Sequence, residues 1–102
     1  MAYQLQSTSV TSATVPVSLM PPGNKVSYMI KVRNAAAVPV LLFPYSGTLP
    51  GSAPANVFEL APGQFFSDED PISAYLTDAM GQGWAAVLES GVTAVAVDAA
   101  WR

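Results

Sequence analysis

Proline and glycine interrupt every apolar stretch of this sequence well before it reaches the roughly 18 uncharged residues that a membrane-crossing helix needs. Nine prolines and seven glycines are spread along 102 residues. Between the interruptions lie short segments in which apolar and polar residues alternate, the pattern of strands with one buried face. The clearest is 25–34, KVSYMIKVRN. Val26, Tyr28, Ile30 and Val32 fall on one face, and Lys25, Ser27, Lys31 and Arg33 on the other, with Met29 the exception. Three of the four bases are therefore expected on one exposed face, either solvated or offered to an acidic partner.

Segment 38–44, VPVLLFP, is nearly all apolar. It reads as a strand buried on both faces or facing a partner. Segment 45–56, YSGTLPGSAPAN, is a turn-rich loop, and a loop of that length in a small domain is usually functional or covered. Residues 57–66 suggest two short strands around Pro62-Gly63, a pair that fits a type II turn. A short helix is expected over about 71–80. Asp70 would be its N-cap, Asp68 and Glu69 would complement its dipole, and Gly81 or Gly83 would stop it. The last stretch divides at Glu89-Ser90-Gly91 into strands 84–88 and 92–97, and Trp101 suggests a packed end.

Residues 1–23 contain seven Ser or Thr, one glycine and no charge. Tyr3, Leu5, Val10, Val15, Val17 and Leu19 give partial alternation, Pro16 limits the segment to an edge or a free extended run, and Pro21-Pro22-Gly23-Asn24 ends it with a turn. It is either an ordinary first strand or an arm that pairs with a neighbouring subunit. The reading taken is an extended N-terminal arm over 1–23, followed by a single β-rich domain over 24–102. The fold class expected is mainly β, a small β-sandwich or barrel with one short α-helix.

Composition bears on function. Charged residues are 11% of the chain, against about a quarter in an average soluble domain, and 51% of residues are apolar. A small domain needs much polar covering, so part of this surface is expected to be covered by another chain. The net charge is −3 with four scattered bases, which excludes the basic stripe of a nucleic-acid binder. There is no His and no Cys, so Ser–His and Cys–His nucleophile pairs cannot form within one chain. A paired-carboxylate hydrolase is formally open, but no enzymatic activity is expected. No cofactor, small-molecule substrate or membrane partner is expected either. MAYQLQSTSV lacks a basic and an apolar signal region, so synthesis in a cytoplasm is expected.

Two constellations invite a ligand. Asp68-Glu69-Asp70 is the only acidic cluster, but helix capping accounts for it without calcium. Trp84, Tyr45, Phe65 and Phe66 could stack on a sugar, but an aromatic beside a turn is more often a core plug or interface anchor. Tyr3, Leu5, Val10, Val15, Val17, Tyr45, Trp84 and Trp101 are the interface candidates.

Asn34, Val38-Pro39-Val40-Leu41-Leu42-Phe43-Pro44, Ser46-Gly47, Leu49 to Gly51, and Leu60-Ala61-Pro62-Gly63-Gln64 follow an order of strand, proline, glycine turn and Leu-Ala-Pro-Gly. In this the stretch from Asn34 to Trp84, about half the chain, resembles small structural proteins of tailed bacteriophages. The helix expected at 72–80 departs from the simplest of these. The resemblance implies a virion part such as a capsid decoration (cement) protein on the capsid surface. It implies a homo-oligomer, with a trimer favoured, and the major capsid protein as partner. It transfers no functional residues. A glycan-binding tail or fibre module and a head–tail connector component are the alternatives.

Overall fold

The alternation in 25–34 is built into a strand whose residues Tyr28, Ile30 and Val32 are buried and whose residues Met29 and Lys31 are exposed. A computed structural model describes residues 2–70 and 81–102. The described residues form eight strands: β1 (Gln4–Val10), β2 (Val17–Met20), β3 (Tyr28–Val32), β4 (Val40–Tyr45), β5 (Phe58–Leu60), β6 (Phe65–Ser67), β7 (Gly83–Leu88) and β8 (Val95–Trp101). They make two antiparallel four-stranded sheets. Sheet A has the order β1-β8-β3-β6 and sheet B the order β2-β7-β4-β5. The chain is therefore mainly β, as its pattern of short alternating segments predicts. The helix expected over 71–80 lies outside the described residues.

One apolar core is filled from both sheets, with Val10, Ile30, Phe66 and Val97 from sheet A and Leu19, Leu42, Trp84 and Leu88 from sheet B. Trp84 sits against Phe66 at 5.0 Å between ring centroids, edge to face, and against Tyr28 at 6.0 Å. Phe58 closes on Phe66 at 5.1 Å. Edge-to-face and tilted pairs are the arrangements aromatic quadrupoles favour, and here they join two residues of each sheet.

A second, smaller apolar cluster lies on the other side of sheet B. Phe43, Tyr45 and Ala85 are buried there, with Leu49, Ala53 and Val57 packed over them. This explains why 38–44 and β7 are apolar throughout. Every residue of β7 is buried, because its inner face meets the main core and its outer face lies under the loop of 46–57. Pro44 is tolerated in β4 because the Glu89 N–H to Pro39 carbonyl bond puts the odd-numbered residues of β4 in register to bond β7, so position 44 would direct its N–H to the other side, where β5 pairs only with Val40, Leu41 and Leu42.

The Pro62-Gly63 turn is of type II as its sequence predicts. Gly63 has φ +82°, and the Gln64 N–H donates to the Ala61 carbonyl at 3.0 Å. It does not close an ordinary hairpin, since β5 belongs to sheet B and β6 to sheet A. A Cβ on Gly63 would also fall 2.8 Å from the Asn34 Oδ1, so both conformation and space select glycine there.

Three expectations need correction. The segment read as an N-terminal arm is built into the fold. β1 pairs with β8 through all seven of its residues, and β2 pairs with β7. Val10, Leu19 and Met20 are fully buried. An uncharged, alternating sequence suits an edge strand of its own sheet as well as it suits a neighbour's. Next, Lys25 does not share an exposed face with Lys31 and Arg33. It is buried, and its Nζ donates to the carbonyls of Pro21 and Gly23 at 2.8 Å and of Gln82 at 3.0 Å. Its burial pushes the ammonium pKa below the usual lysine range. Val26, expected to be inward, is exposed, because the strand begins only at Tyr28. The expected N-cap role of Asp70 belongs to the helix over 71–80 and so lies outside the described residues. Among the described residues Ser67–Asp70 close a turn: the Asp70 N–H donates to the Ser67 carbonyl at 3.1 Å, the Ser67 N–H donates to Asp70 Oδ2 at 2.8 Å, and the Glu69 N–H donates to Ser67 Oγ at 3.3 Å.

Two outcomes follow. Trp84→Ala should lower unfolding free energy by about 3–5 kcal/mol, measured by urea denaturation; an unchanged midpoint would contradict its place in the core. Deleting residues 1–20 removes three fully buried apolar side chains. Their burial is worth roughly 4–9 kcal/mol, comparable with the whole stability of about 5–15 kcal/mol expected for a domain. The truncated chain should be unfolded by circular dichroism.

Candidate functional site: the outer face of sheet A

The side of sheet A turned away from the core is the most open apolar surface of the described chain. Strand register lays it out in rows. Leu5, Ala100, Met29 and Ser67 form one row across β1, β8, β3 and β6. Ser7, Asp98, Lys31 and Phe65 form the next. Leu5 is 79% exposed, Phe65 63%, and Tyr3 and Met29 46% each. Among the described residues, four of the seven exposed large apolar side chains thus lie on or beside one sheet face.

Arg33, Asp98 and Ser7 on this face are tied to one another. Arg33 makes a two-pronged contact with Asp98, Nε to Oδ2 at 2.9 Å and Nη2 to Oδ1 at 3.0 Å. Ser7 Oγ donates to the same Oδ1 at 2.6 Å. The hydrogen bonds from Arg33 and Ser7 hold the Asp98 carboxyl below the usual aspartate range. At the next row the Arg102 guanidinium lies 5.1 Å from the Tyr3 ring centroid, within cation–π range. The face is thus apolar side chains around the Arg33–Asp98 ion pair, with the exposed Lys31 beside it.

The eight residues singled out from sequence divide. Tyr3 and Leu5 lie on this face. Val15 is exposed in the connection between β1 and β2. Val17 and Trp101 are half-buried and packed on the core. Val10, Tyr45 and Trp84 are buried within this chain; the Tyr45 hydroxyl meets Ser18 Oγ at 2.6 Å, and Trp84 Nε1 is buried with no hydrogen-bond partner among the described residues. Of the four aromatics that could form a sugar platform, Tyr45, Phe66 and Trp84 are buried and only Phe65 is open. The interface candidates left out Met29, the Arg33–Asp98 pair and Phe65, which was weighed only as part of a sugar platform. The signal for Met29 was present, since it is the apolar exception on the polar face of 25–34. The ion pair joins residues 65 apart and left no local trace.

Among the described residues, no group of three or more His, Cys, Asp or Glu could hold a metal ion. No helix among them is long and apolar enough to cross a membrane. No protein-family model, curated protein or solved structure matches this chain.

The Asp98 contacts give a pH dependence. A carboxyl whose folded pKa is depressed adds stability above its unfolded value, and this is lost as pH falls through the folded value. Asp98→Asn should therefore lower the urea midpoint at pH 7. The gap between parent and variant should shrink as pH drops below about 3.9, the ordinary aspartate value. A gap unchanged at acid pH would mean that the ion pair contributes nothing.

Proposed function

We propose that this chain is a structural protein of a tailed-bacteriophage virion, a decoration protein that binds the outside of the assembled head. The two sheets are read as a small β-sandwich whose role is to present surface. The observation that carries this reading is the outer face of sheet A, where Leu5, Met29 and Phe65 are open around the Arg33–Asp98 ion pair and the single cation Lys31. A face of that kind suits contact with protein. The resemblance of 34–84 to small phage structural proteins supports the virion assignment, and through it a homotrimer and the major capsid protein as partner.

The mechanism is linkage. A protein that binds only the assembled lattice stabilises that lattice against opening, by an amount set by its concentration relative to its dissociation constant. Apolar area buried at the contact supplies about 25 cal/mol per Å² before the ordering of both surfaces is counted. No bond is made or broken.

Copy number tests the reading. Quantitative mass spectrometry of purified virions should find hundreds of copies per particle. A dozen or fewer would indicate a connector or tail component, and absence from virions would end the proposal. Heads lacking the protein should open at a lower temperature, and adding it back should restore the parent value. Met29→Asp together with Phe65→Asp should abolish that restoration while the domain stays folded.

A further inference from the structure

The four edge strands of this fold are not alike. β5 and β6 have three residues each. β2 has four, with a register shift between Ser18 and Met20, and Gln6 Nε2 caps its Ser18 carbonyl at 3.1 Å. Short length, irregularity and capping are the devices that keep sheet edges from pairing with other chains. β1 has none of them. It is seven residues long, holds register with β8 throughout, and contains no charge, proline or glycine.

The backbone groups that β1 turns outward follow from the ladder on the far side of β8. Arg102 and Ser27 exchange both backbone hydrogen bonds, at 3.0 and 3.2 Å, and the Arg33 N–H donates to the Ala96 carbonyl at 3.2 Å. Ala96, Asp98 and Ala100 therefore direct their N–H and C=O groups toward β3. Antiparallel pairing alternates between hydrogen-bonded and non-hydrogen-bonded pairs. The β1 partners of these three residues are Ser9, Ser7 and Leu5, and they point their backbone groups away from β8. Among the described residues no strand stands on that side.

We propose that β1 is the docking edge for β1 of a second copy of this chain, the two strands pairing antiparallel about a twofold axis at Ser7. In that register Ser7 faces Ser7, Leu5 of each copy faces Ser9 of the other, and Gln6 faces Thr8. Three hydrogen-bonded pairs form, and the two copies of sheet A become one continuous eight-stranded sheet. A second copy is the occupant because of charge. A twofold contact sets each strand against itself, so any charge in β1 would meet its like, and β1 has none. The nearest charge inward, Asp98, is already paired with Arg33. The contact also sets the outer faces of the two copies of sheet A side by side, so that they form one surface.

This inference is independent of the virion reading: a solution dimer would stand even if copy number placed the chain elsewhere. A twofold edge doubles whatever forms through other surfaces, so a further threefold contact would give a hexamer.

Sedimentation equilibrium and amide hydrogen exchange test it on the full chain. The parent should sediment in even multiples of 10.6 kDa, with the Leu5, Ser7 and Ser9 amides protected at high concentration and exchanging on dilution. Ser9→Pro removes an outward N–H without touching the β8 ladder, and Ser7→Lys sets two ammonium groups opposite each other. Each should raise the dimer dissociation constant at least tenfold; if the proline variant fails to fold, the lysine variant carries the test. A monomer or a lone trimer in the parent would overturn the proposal. So would variants that pair as well as the parent, or protection of these amides only when a different protein is added.

Discussion

The contact between Trp84 and Phe66 is the one on which the rest of this molecule depends. It crosses from sheet B to sheet A at 5.0 Å, and Tyr28 and Phe58 complete a cluster with two members in each sheet. A sheet of four short strands has little independent stability until one face is covered. Here each sheet covers the other, and the largest side chains do so at the centre. The chain connections serve the same end. The type II turn at Pro62-Gly63 passes from sheet B to sheet A and delivers Phe66 to Trp84 immediately after it. One residue before Trp84, glycine is required for a different reason: a Cβ on Gly83 would lie 2.6 Å from the Met20 carbonyl oxygen and 2.8 Å from the Tyr45 ring on its own sheet's side.

Several of the chain's few charged groups are tied to partners within the fold. Lys25 is spent inside, where its ammonium joins the carbonyls of Pro21 and Gly23 to that of Gln82. A buried ammonium is tolerable only when so many of its protons are satisfied. Arg33 is held by Asp98, and Arg102 lies over Tyr3. Asp68 accepts from the Tyr28 N–H at 2.9 Å and from Ser27, and Asp70 accepts from the Ser67 N–H. Lys31, Glu59, Glu69 and Glu89 stay exposed, so the few charges of the sequence are partly tied down rather than removed from the surface. The most open apolar part of the described surface is the outer face of sheet A, which adjoins the one edge strand without protection. Face and edge make a single region suited to other protein chains.

Periodicity in single segments made the strand content legible in the sequence alone. The period of two in 25–34, the glycine after proline at 62–63 and the break at 89–91 are local signals, set by side-chain alternation and by the positive φ that Gly63 and Gly91 adopt. The double-sided burial of 38–44 was legible too, because seven nearly unbroken apolar residues cannot face water on either side. What those signals left open was the partner of each face. Tertiary structure decided that the first twenty residues supply an edge to each sheet, that the loop of 46–57 folds over Phe43 and Tyr45, and that Lys25 turns inward while Met29 and Phe65 turn out. Each of these depends on residues far apart in sequence meeting in space, as Lys25 meets Gln82 and Arg33 meets Asp98. Alternation records only that one face of a strand is apolar; what comes to lie against that face is settled by the packing of the whole chain.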